Sequence, residues 1–521
     1  MIKKLLFFLL TPLIGMSQTQ IGQDIIGDMS DDKFGHGVAL SADGNVMAVS
    51  APGNDNNGTD AGHIKVYTKV AGAWTQIGQD IEGAIFNDQI GYKIALSDDG
   101  TTLAFSAFDA KRTNNNITSR GFVSVYKNLN NSWTKVGQDI VDTTADVLFG
   151  LAISLSSDGS TVAIGSPTNS ATFFEQVQVY KNIAGTWQKI GGFSKNNNST
   201  NDILSLRYGH NVSLSGDGTI LAFSDIEGKP TGGNFDSGLV YVYKYQLGTW
   251  VKVGNTLSGN NQNENYGYRL VLSSDGGTLA IAGSSNINGL NSGHVEVYKN
   301  QANNWLKVGN NITGEAAGDY CGSGLAVSAN GNAITIGSTG ADTTNGTDSG
   351  KVRIFENIQS SWLEKGSVIG ANTGDRVGSS IALSKDGYSL AVGNPGANSV
   401  GGKSLTIDKQ NVSDNLLQKN NYHAKGTFPG SVQVFNLSGI LSSDTFVLEN
   451  FKVYPNPTTD ILNIELDNGL ILEKILIYNT SGQLIKETTE KTVNVSSFAK
   501  GIYHVQLITD KGKATKKVVV K

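Results

Sequence analysis

The chain has 521 residues, 64 of them Gly, with charged residues at 16% and a formal net charge of −5. Charge is scarce against the roughly 25% of an average domain, so the polar surface has to come from Asn, Ser, Thr and Gly. With no basic stripe, nucleic acid is not expected as a partner, and the length is ample for a large core plus a second domain.

Residues 1–17 read as a secretory signal peptide. Lys3-Lys4 supply the positive region, Leu5 to Ile14 the apolar region, and Gly15-Met16-Ser17 a small-residue cleavage site. The apolar stretch is too short for a permanent bilayer span, and no other stretch suggests a transmembrane anchor.

From residue 18 onward the chain repeats itself. Ser-x-Asp-Gly begins at Ser41, Ser97, Ser156, Ser215, Ser273 and Ser384, and Ser328-Ala329-Asn330-Gly331 is a seventh copy. Successive copies lie roughly 55–60 residues apart, a period of repeat architectures rather than of one packed domain. Each unit has an apolar run such as Val38-Ala39-Leu40, the turn, a second run (Met47-Ala48-Val49) and a Gly/Asn/Asp loop. A strand like Ile64-Lys65-Val66-Tyr67 follows, then a last strand opened by Trp74. Four short strands per unit is the content of one propeller blade. Asp-Gly or Asn-Gly between apolar runs predicts a type I′ hairpin turn with both central residues at positive φ. Because Asn330 replaces Asp in one copy, the repeated Asp reads as a turn former and not as a calcium ligand.

The Trp-opened strand occurs at Trp74, Trp133, Trp187, Trp250, Trp305 and Trp362, one short of the turn count. Gln18 to Ile25 repeats Trp74 to Ile81 at every position but the first, whereas the last repeat ends at Val432 to Phe435 without a fourth strand. The predicted fold is therefore all-β: a seven-bladed β-propeller over 18–437, with residues 18–25 as the outer strand of the seventh blade. A linker over 438–450 and a small β-sandwich over 451–521 complete the chain. Circular closure removes an open sheet edge.

Cys321 is the only cysteine, which leaves no intramolecular disulfide. It occupies the column of Phe34, Ile90, Phe149, Tyr208, Tyr266 and Val377 and reads as a buried small hydrophobe. His63 and His294 flank loop ends and read as surface residues.

The C-terminal segment carries Tyr454-Pro455-Asn456-Pro457-Thr458, Leu462-Asn463-Ile464, Ile477-Tyr478-Asn479 with Gly482, Gly501-Ile502-Tyr503, and Lys516 to Val520. It resembles the type A sorting domain of the type IX secretion system in Bacteroidota. That resemblance implies the type IX secretion machinery as a partner, and a protein that is released or held at the cell surface. The repeats resemble the FG-GAP family, the blades of integrin α-type propellers, through Phe34-Gly35 and Ser50-Ala51-Pro52, with weaker echoes at Gly165-Ser166-Pro167 and Gly393-Asn394-Pro395. The family's calcium loop has several spaced Asp residues, but the matching turn here keeps one acidic position, so no cofactor is carried over. Calcium at Asn/Asp loops such as Asp55 to Asp60 stays open, since it needs about six to eight oxygen ligands.

The FG-GAP resemblance implies that the strand after each repeat Gly is innermost and the Trp strand outermost. His36, Tyr92, Leu151, His210, Tyr268, Ser323 and Ser379 then stand at equivalent places around the mouth of a central channel, with Lys93, Asn211 and Arg269 beside them. His36, Tyr92, Lys93, His210, Asn211, Tyr268 and Arg269 are the candidate ligand-binding residues, set against the plain alternative of amphipathic residues capping a core. The long stretch Pro395 to Pro429 is a second candidate recognition element.

No Gly-x-Ser-x-Gly elbow, His-Glu-x-x-His, phosphate loop or zinc spacing occurs, and no enzymatic activity is expected. The leading expectation is an exported binding or adhesion module for a glycan or protein ligand. A carbohydrate-active hydrolase or lyase on the loop face, or a non-catalytic surface coat, is the alternative.

Overall fold

The structure, a computed structural model, describes residues 19–114, 117–142, 148–168, 175–194, 207–230, 232–234, 236–395, 429–437, 441, 451–466, 470–479, 484–509 and 512–521. The signal peptide, most of 395–429 and the linker apart from Leu441 lie outside the described residues. Everything described is strand, turn or loop.

Among the described residues, seven antiparallel sheets with a four-stranded core precede residue 437. The first contains Gly37–Leu40, Val46–Ala51, His63–Val70 and Ala73–Gln76 in sequential order. The others repeat this order, and their innermost strands form a closed cycle of neighbours: Gly37–Leu40, Lys93–Leu96, Ala152–Leu155, Tyr208–Leu214, Arg269–Leu272, Cys321–Val327, Ser380–Leu383 and back. This is the topology of a propeller.

The last sheet takes its outer strand from the start of the chain. Thr19–Gln20 pairs antiparallel with Ser431–Asn436 through Thr19↔Asn436 and Gln20↔Phe435, and Ile25 pairs with Val432. The closure therefore follows the pattern of the other blades. Trp74 donates its indole N–H to Ile21 O at 3.1 Å, as Trp133 does to Ile77 O and Trp362 to Val308 O, each at 3.1 Å. Each of these Trp side chains reaches back to the preceding sheet, and for Trp74 that sheet is the closing one.

Second strands such as Thr161–Gly165 and Thr278–Gly283 are buried at every position. Both of their faces are covered by adjacent blades, so they read as unbroken apolar runs. Outer strands such as Ser132–Lys135 bury only their Trp. Core clusters lie between consecutive blades: Ala48, Ile64 and Val66 pack with Leu103, Phe105 and Trp133, and Met47, Val49 and Trp74 pack with Ala391, Val432, Val434 and Ile25.

The Ser-x-Asp-Gly turn corrects the type I′ expectation. Gly44 N–H donates to Ser41 O at 3.0 Å, Gly44 lies at φ 66°, and Asp43 is not among the residues with positive φ. One left-handed residue at the end of a type I turn is a G1 bulge, and Gly takes that conformation without strain. Asp43 acts as a clamp: its Oδ1 accepts from Ser41 Oγ (2.7 Å) and Asn45 N (3.0 Å), while Ser41 Oγ accepts from Val46 N (2.9 Å). Burial pushes the Asp43 carboxyl up, but these hydrogen bonds outweigh it and hold it below the usual range. Asn330 Oδ1 makes the same two contacts, at 2.9 and 3.0 Å, which explains why Asn serves in that copy.

Among its described residues the C-terminal module has a three-stranded and a four-stranded sheet, with Phe451, Leu462, Ile475, Val505 and Val518 in one shared core. That is a small sandwich.

Deleting residues 18–26 removes Ile25, which is 7% exposed, together with the acceptor for Trp74. The expected cost from Ile25 alone is about 1.5–3 kcal/mol, seen as a lower melting temperature and earlier aggregation. An unchanged melting temperature would show that closure contributes nothing.

Candidate functional site

The channel mouth is built by a turn that recurs before the inner strands. An acidic residue caps the loop: Asp88 Oδ2 accepts from Ala84 N (2.9 Å) and Ile85 N (3.1 Å), and Glu264 Oε2 and Asp319 Oδ2 do the same in their blades. The next residue is left-handed (Lys33 φ 58°, Gln89 φ 47°, Asn265 φ 49°), followed by a buried apolar side chain and then Gly. A Cβ on Gly35, which sits at φ 89°, would lie 2.6 Å from Ser431 O, so only glycine fits. The residue after Gly closes the turn, as in His36 N→Lys33 O (3.0 Å), His210 N→Arg207 O (3.1 Å) and Tyr268 N→Asn265 O (3.0 Å). Its side chain is left at the head of the inner strand.

Six of the seven predicted residues come together there. The His36 and Tyr92 rings lie 5.4 Å apart, and those of His210 and Tyr268 5.5 Å apart. The Lys93 ammonium sits 5.1 Å from the Tyr92 ring centre, and the Arg269 guanidinium 5.1 Å from that of Tyr268. The mouth thus carries one His–Tyr–cation unit built twice, on the first and second blades and again on the fourth and fifth. Arg269 Nε also donates to Ser323 O at 3.1 Å, which fixes its direction. Asn211 is partly buried in Tyr208–Leu214, and its N–H donates to Ser224 Oγ at 3.1 Å.

The two units share one electrostatic space. Burial lowers the Lys93 ammonium to about 7, and Arg269 pushes in the same direction. Burial, then repulsion from Lys93, Lys33 and Arg269, holds His36 down at about 3. His210 is likewise held well below the ordinary imidazole range by burial, then by Arg207, Arg269 and Lys93. All these side chains keep some exposure to the channel. Both imidazoles are therefore neutral near pH 7, and Nδ1 of each is buried without a hydrogen-bond partner.

The opposite end of the channel is closed. The turn tips donate backbone hydrogen bonds to one another around the axis: Ala42→Asp98, Asp98→Ser157, Ser157→Gly216, Gly216→Ser274, Asp275→Ala329, Ala329→Lys385 and Lys385→Ala42, at 2.8–3.2 Å. The Lys385 ammonium crosses the ring to the Asp98 carboxylate (2.6 Å), Ser274 Oγ (2.6 Å) and Ser157 Oγ. A Cβ on Gly216 would come within 2.5 Å of both Ser157 Oγ and Ser274 Oγ, so the centre is filled. Sequence reading missed this hub, although the signal was available: the x column of the turn is small except for one Asp and one Lys.

His63 and His294 correct the surface expectation. They are 0% and 2% exposed. His63 lies edge-on to Phe34, with ring centres 6.5 Å apart and both ring nitrogens unpaired. His294 Nε2 lies 3.2 Å from Glu264 Oε1. Neighbouring Glu296 accepts from Tyr266 (2.9 Å), Tyr298 (2.7 Å) and Lys307 (2.6 Å), which makes the group an internal network of the fifth blade. Cys321 is 3% exposed, and burial pushes its thiol up, away from nucleophilic character. Among the described residues no group of three or more His, Cys, Asp or Glu is placed to hold a metal ion, and no helix is long and apolar enough to cross a membrane.

Residues 452–521 match the family described as the secretion system C-terminal sorting domain, and residues 28–67 match the FG-GAP repeat. The chain thus carries an FG-GAP repeat within a propeller-like fold and a type IX sorting domain at residues 452–521, and it is secreted or displayed at the cell surface. Among curated proteins, ulvan lyase NLR42 of Nonlabens ulvanivorans is 36% identical over 81 residues, which is 15% of this chain and 15% of that protein. Among solved structures, the periplasmic gluconolactonase PpgL of Pseudomonas aeruginosa aligns over 64% of this chain and 86% of its own, at 16% identity and a TM-score of 0.42. A likeness at that level carries no argument; the fold rests on the strand pairing above.

Removing Arg269 relieves the repulsion on Lys93. Arg269→Ala is expected to raise the Lys93 ammonium above about 7. The pH dependence of Lys93 acetylation, read by peptide mass spectrometry, checks this: the midpoint moves up, and an unmoved midpoint would separate the two cations.

Proposed function

We propose that this protein is an exported binding module, a propeller delivered by its sorting domain to the cell surface or the medium, and that the channel mouth is its recognition site. One observation carries the reading. Side chains from four blades far apart in sequence converge on one opening as two His–Tyr–cation units. Binding groups concentrate on loops positioned by a rigid scaffold, and here every contributing turn is tied to its blade by backbone hydrogen bonds.

The same geometry favours binding over hydrolysis. Glycoside hydrolysis uses two carboxyl groups about 5–9.5 Å apart. The charged groups that act on His36, Lys93 and His210 are all cations. The lyase named above matches too little of this chain to bring its activity here, and no enzymatic activity is assigned. The stretch Pro395 to Pro429 keeps its place as a second recognition element on sequence grounds alone, since most of it lies outside the described residues.

The test is saturable binding of the mature protein to a panel of polysaccharides and surface glycans, with each ligand reassayed for released product. Tyr92→Ala with Tyr268→Ala is expected to weaken binding by tenfold or more at unchanged melting temperature. Binding that survives the double substitution would move the site elsewhere, and released product would replace a binding module with an enzyme.

A further inference from the structure

Taking the channel mouth as the recognition site, we infer that its ligand is an anionic saccharide, whose carboxylate or sulfate is gripped between Lys93 and Arg269 while the histidines and Asn211 meet its hydroxyl groups. Among the described residues neither cation forms an ion pair. Lys93 rests over Tyr92, and Arg269 over Tyr268 with a single bond to Ser323 O. Two like charges held together in a partly desolvated funnel lack a counter-charge, and an anion supplies one. Arg269 presents a planar fork suited to a two-oxygen acceptor, and Lys93 a point charge.

The neutral groups around the cations suit a sugar better than an acidic peptide. Nδ1 of His36 and of His210 is buried without a partner, and a neutral imidazole offers one ring N–H to a ligand oxygen and one ring nitrogen to a ligand hydroxyl. Asn211 adds a donor and an acceptor, and Ser323 and Ser379 stand at the equivalent places of their blades. None of these groups makes an apolar pocket for a peptide side chain. The far end is filled by Lys385, Asp98, Ser157 and Ser274, so a chain cannot thread through. The funnel therefore takes a projecting acidic group or a chain end.

Grip by Lys93 makes binding pH-dependent, with a definite sign. Lys93 lies over Tyr92 of its own blade and is repelled by Arg269 of the fifth, and it acts in turn on His36 of the first blade and His210 of the fourth. Lys33 acts on His36, Arg207 acts on His210, and Tyr268 packs against His210 and Arg269. The two imidazoles are already neutral, so Lys93 is the mouth group that titrates near neutrality. It is charged below about 7 and loses its charge above that. An anion favours the charged form, so binding above pH 7 takes up a proton and weakens as pH rises.

The experiment measures affinity of the mature protein by calorimetry for a uronic-acid trisaccharide, a sulfated galactan trisaccharide and a neutral glucan trisaccharide, with polyglutamate as the acidic peptide. One or both acidic sugars are expected to bind and the neutral one not. Lys93→Met or Arg269→Met should each cost tenfold or more in affinity at a melting temperature no lower than that of the wild type. Wild-type affinity should fall about tenfold per unit above pH 8, whereas Lys93→Arg binds with a flat profile. Comparison of the two acidic sugars separates carboxylate from sulfate. Neutral glucan bound as tightly, lost in Tyr92→Ala with Tyr268→Ala but kept in Lys93→Met, would overturn the anion inference and leave the mouth as the site. Polyglutamate bound while all the sugars are silent would overturn the saccharide, and sugar binding indifferent to every mouth substitution would overturn both readings.

Discussion

The ring of backbone hydrogen bonds between turn tips is the constraint on which the rest of this propeller depends. Each tip is held by a Ser–Asp clamp such as Ser97 Oγ to Asp99 Oδ1 at 2.6 Å, with Ser97 Oγ also accepting from Thr102 N at 2.8 Å. The clamp leaves the x residue's N–H and C=O free to point sideways, along the circle rather than across the hairpin. Seven tips joined in that way set one circumference. The inner strands that leave them are mostly four residues long, as in Gly37–Leu40, Lys93–Leu96 and Arg269–Leu272, about 13 Å of rise. The other ends of those strands must then arrive on one circle too. The mouth is ordered because the base is.

At the outer radius the ring is held by a different device. A Trp on each of several outer strands packs under the preceding blade and donates to a backbone carbonyl there, at 2.9–3.1 Å for Trp74, Trp133, Trp187 and Trp362. A closed ring requires this step between the last blade and the first as well, and Ile21 supplies the acceptor. The start of the chain is therefore spent on a structural bond, which is why it copies an outer strand so closely. The indoles of Trp250 and Trp305 lack such an acceptor among the described residues, so at those two steps the Trp contributes packing while bonds such as Leu214 N→Ser154 Oγ and Leu272 N→Ser213 Oγ join the blades.

What could be read in the sequence was what repeats. The turns, the Trp strands and the N-terminal copy of an outer strand each form a column, and a column gives position around the ring whatever the local detail. His36, Tyr92, His210 and Tyr268 were placed at the mouth because they share the column after the repeat Gly. Their neighbours Lys93 and Arg269 followed. Three things failed for a common reason. The turn type depends on a side chain bonding its own backbone, which an Asp-Gly pair alone does not reveal. His63 and His294 adjoin loops in sequence, yet the turn entering their own blade packs against them through Phe34 and through Glu264 and Tyr266, about 30 residues earlier in the chain, and such burial is not a local property. Lys385 bonds Asp98, Ser157 and Ser274 across the axis, a contact between columns rather than within one.

The two ends of the channel show what the fold needs and what it does not. At the base Lys385 meets a carboxylate and two hydroxyls, so a charge placed on the axis is satisfied by the protein itself. At the mouth Lys93 and Arg269 repel each other with no carboxylate paired to either among the described residues, and burial, then that repulsion, brings Lys93 down to about 7. Such an arrangement costs stability, because a charge withdrawn from water without a partner is disfavoured. Nothing in the propeller requires it: the third, sixth and seventh blades enter the same mouth through Leu151, Ser323 and Ser379 and follow them with Ala152, Gly324 and Ser380 where Lys93 and Arg269 stand. Natural folds depart from local consistency chiefly where function asks for it. A rigid ring whose base is neutralised and whose mouth is not is thus organised around something that arrives from outside.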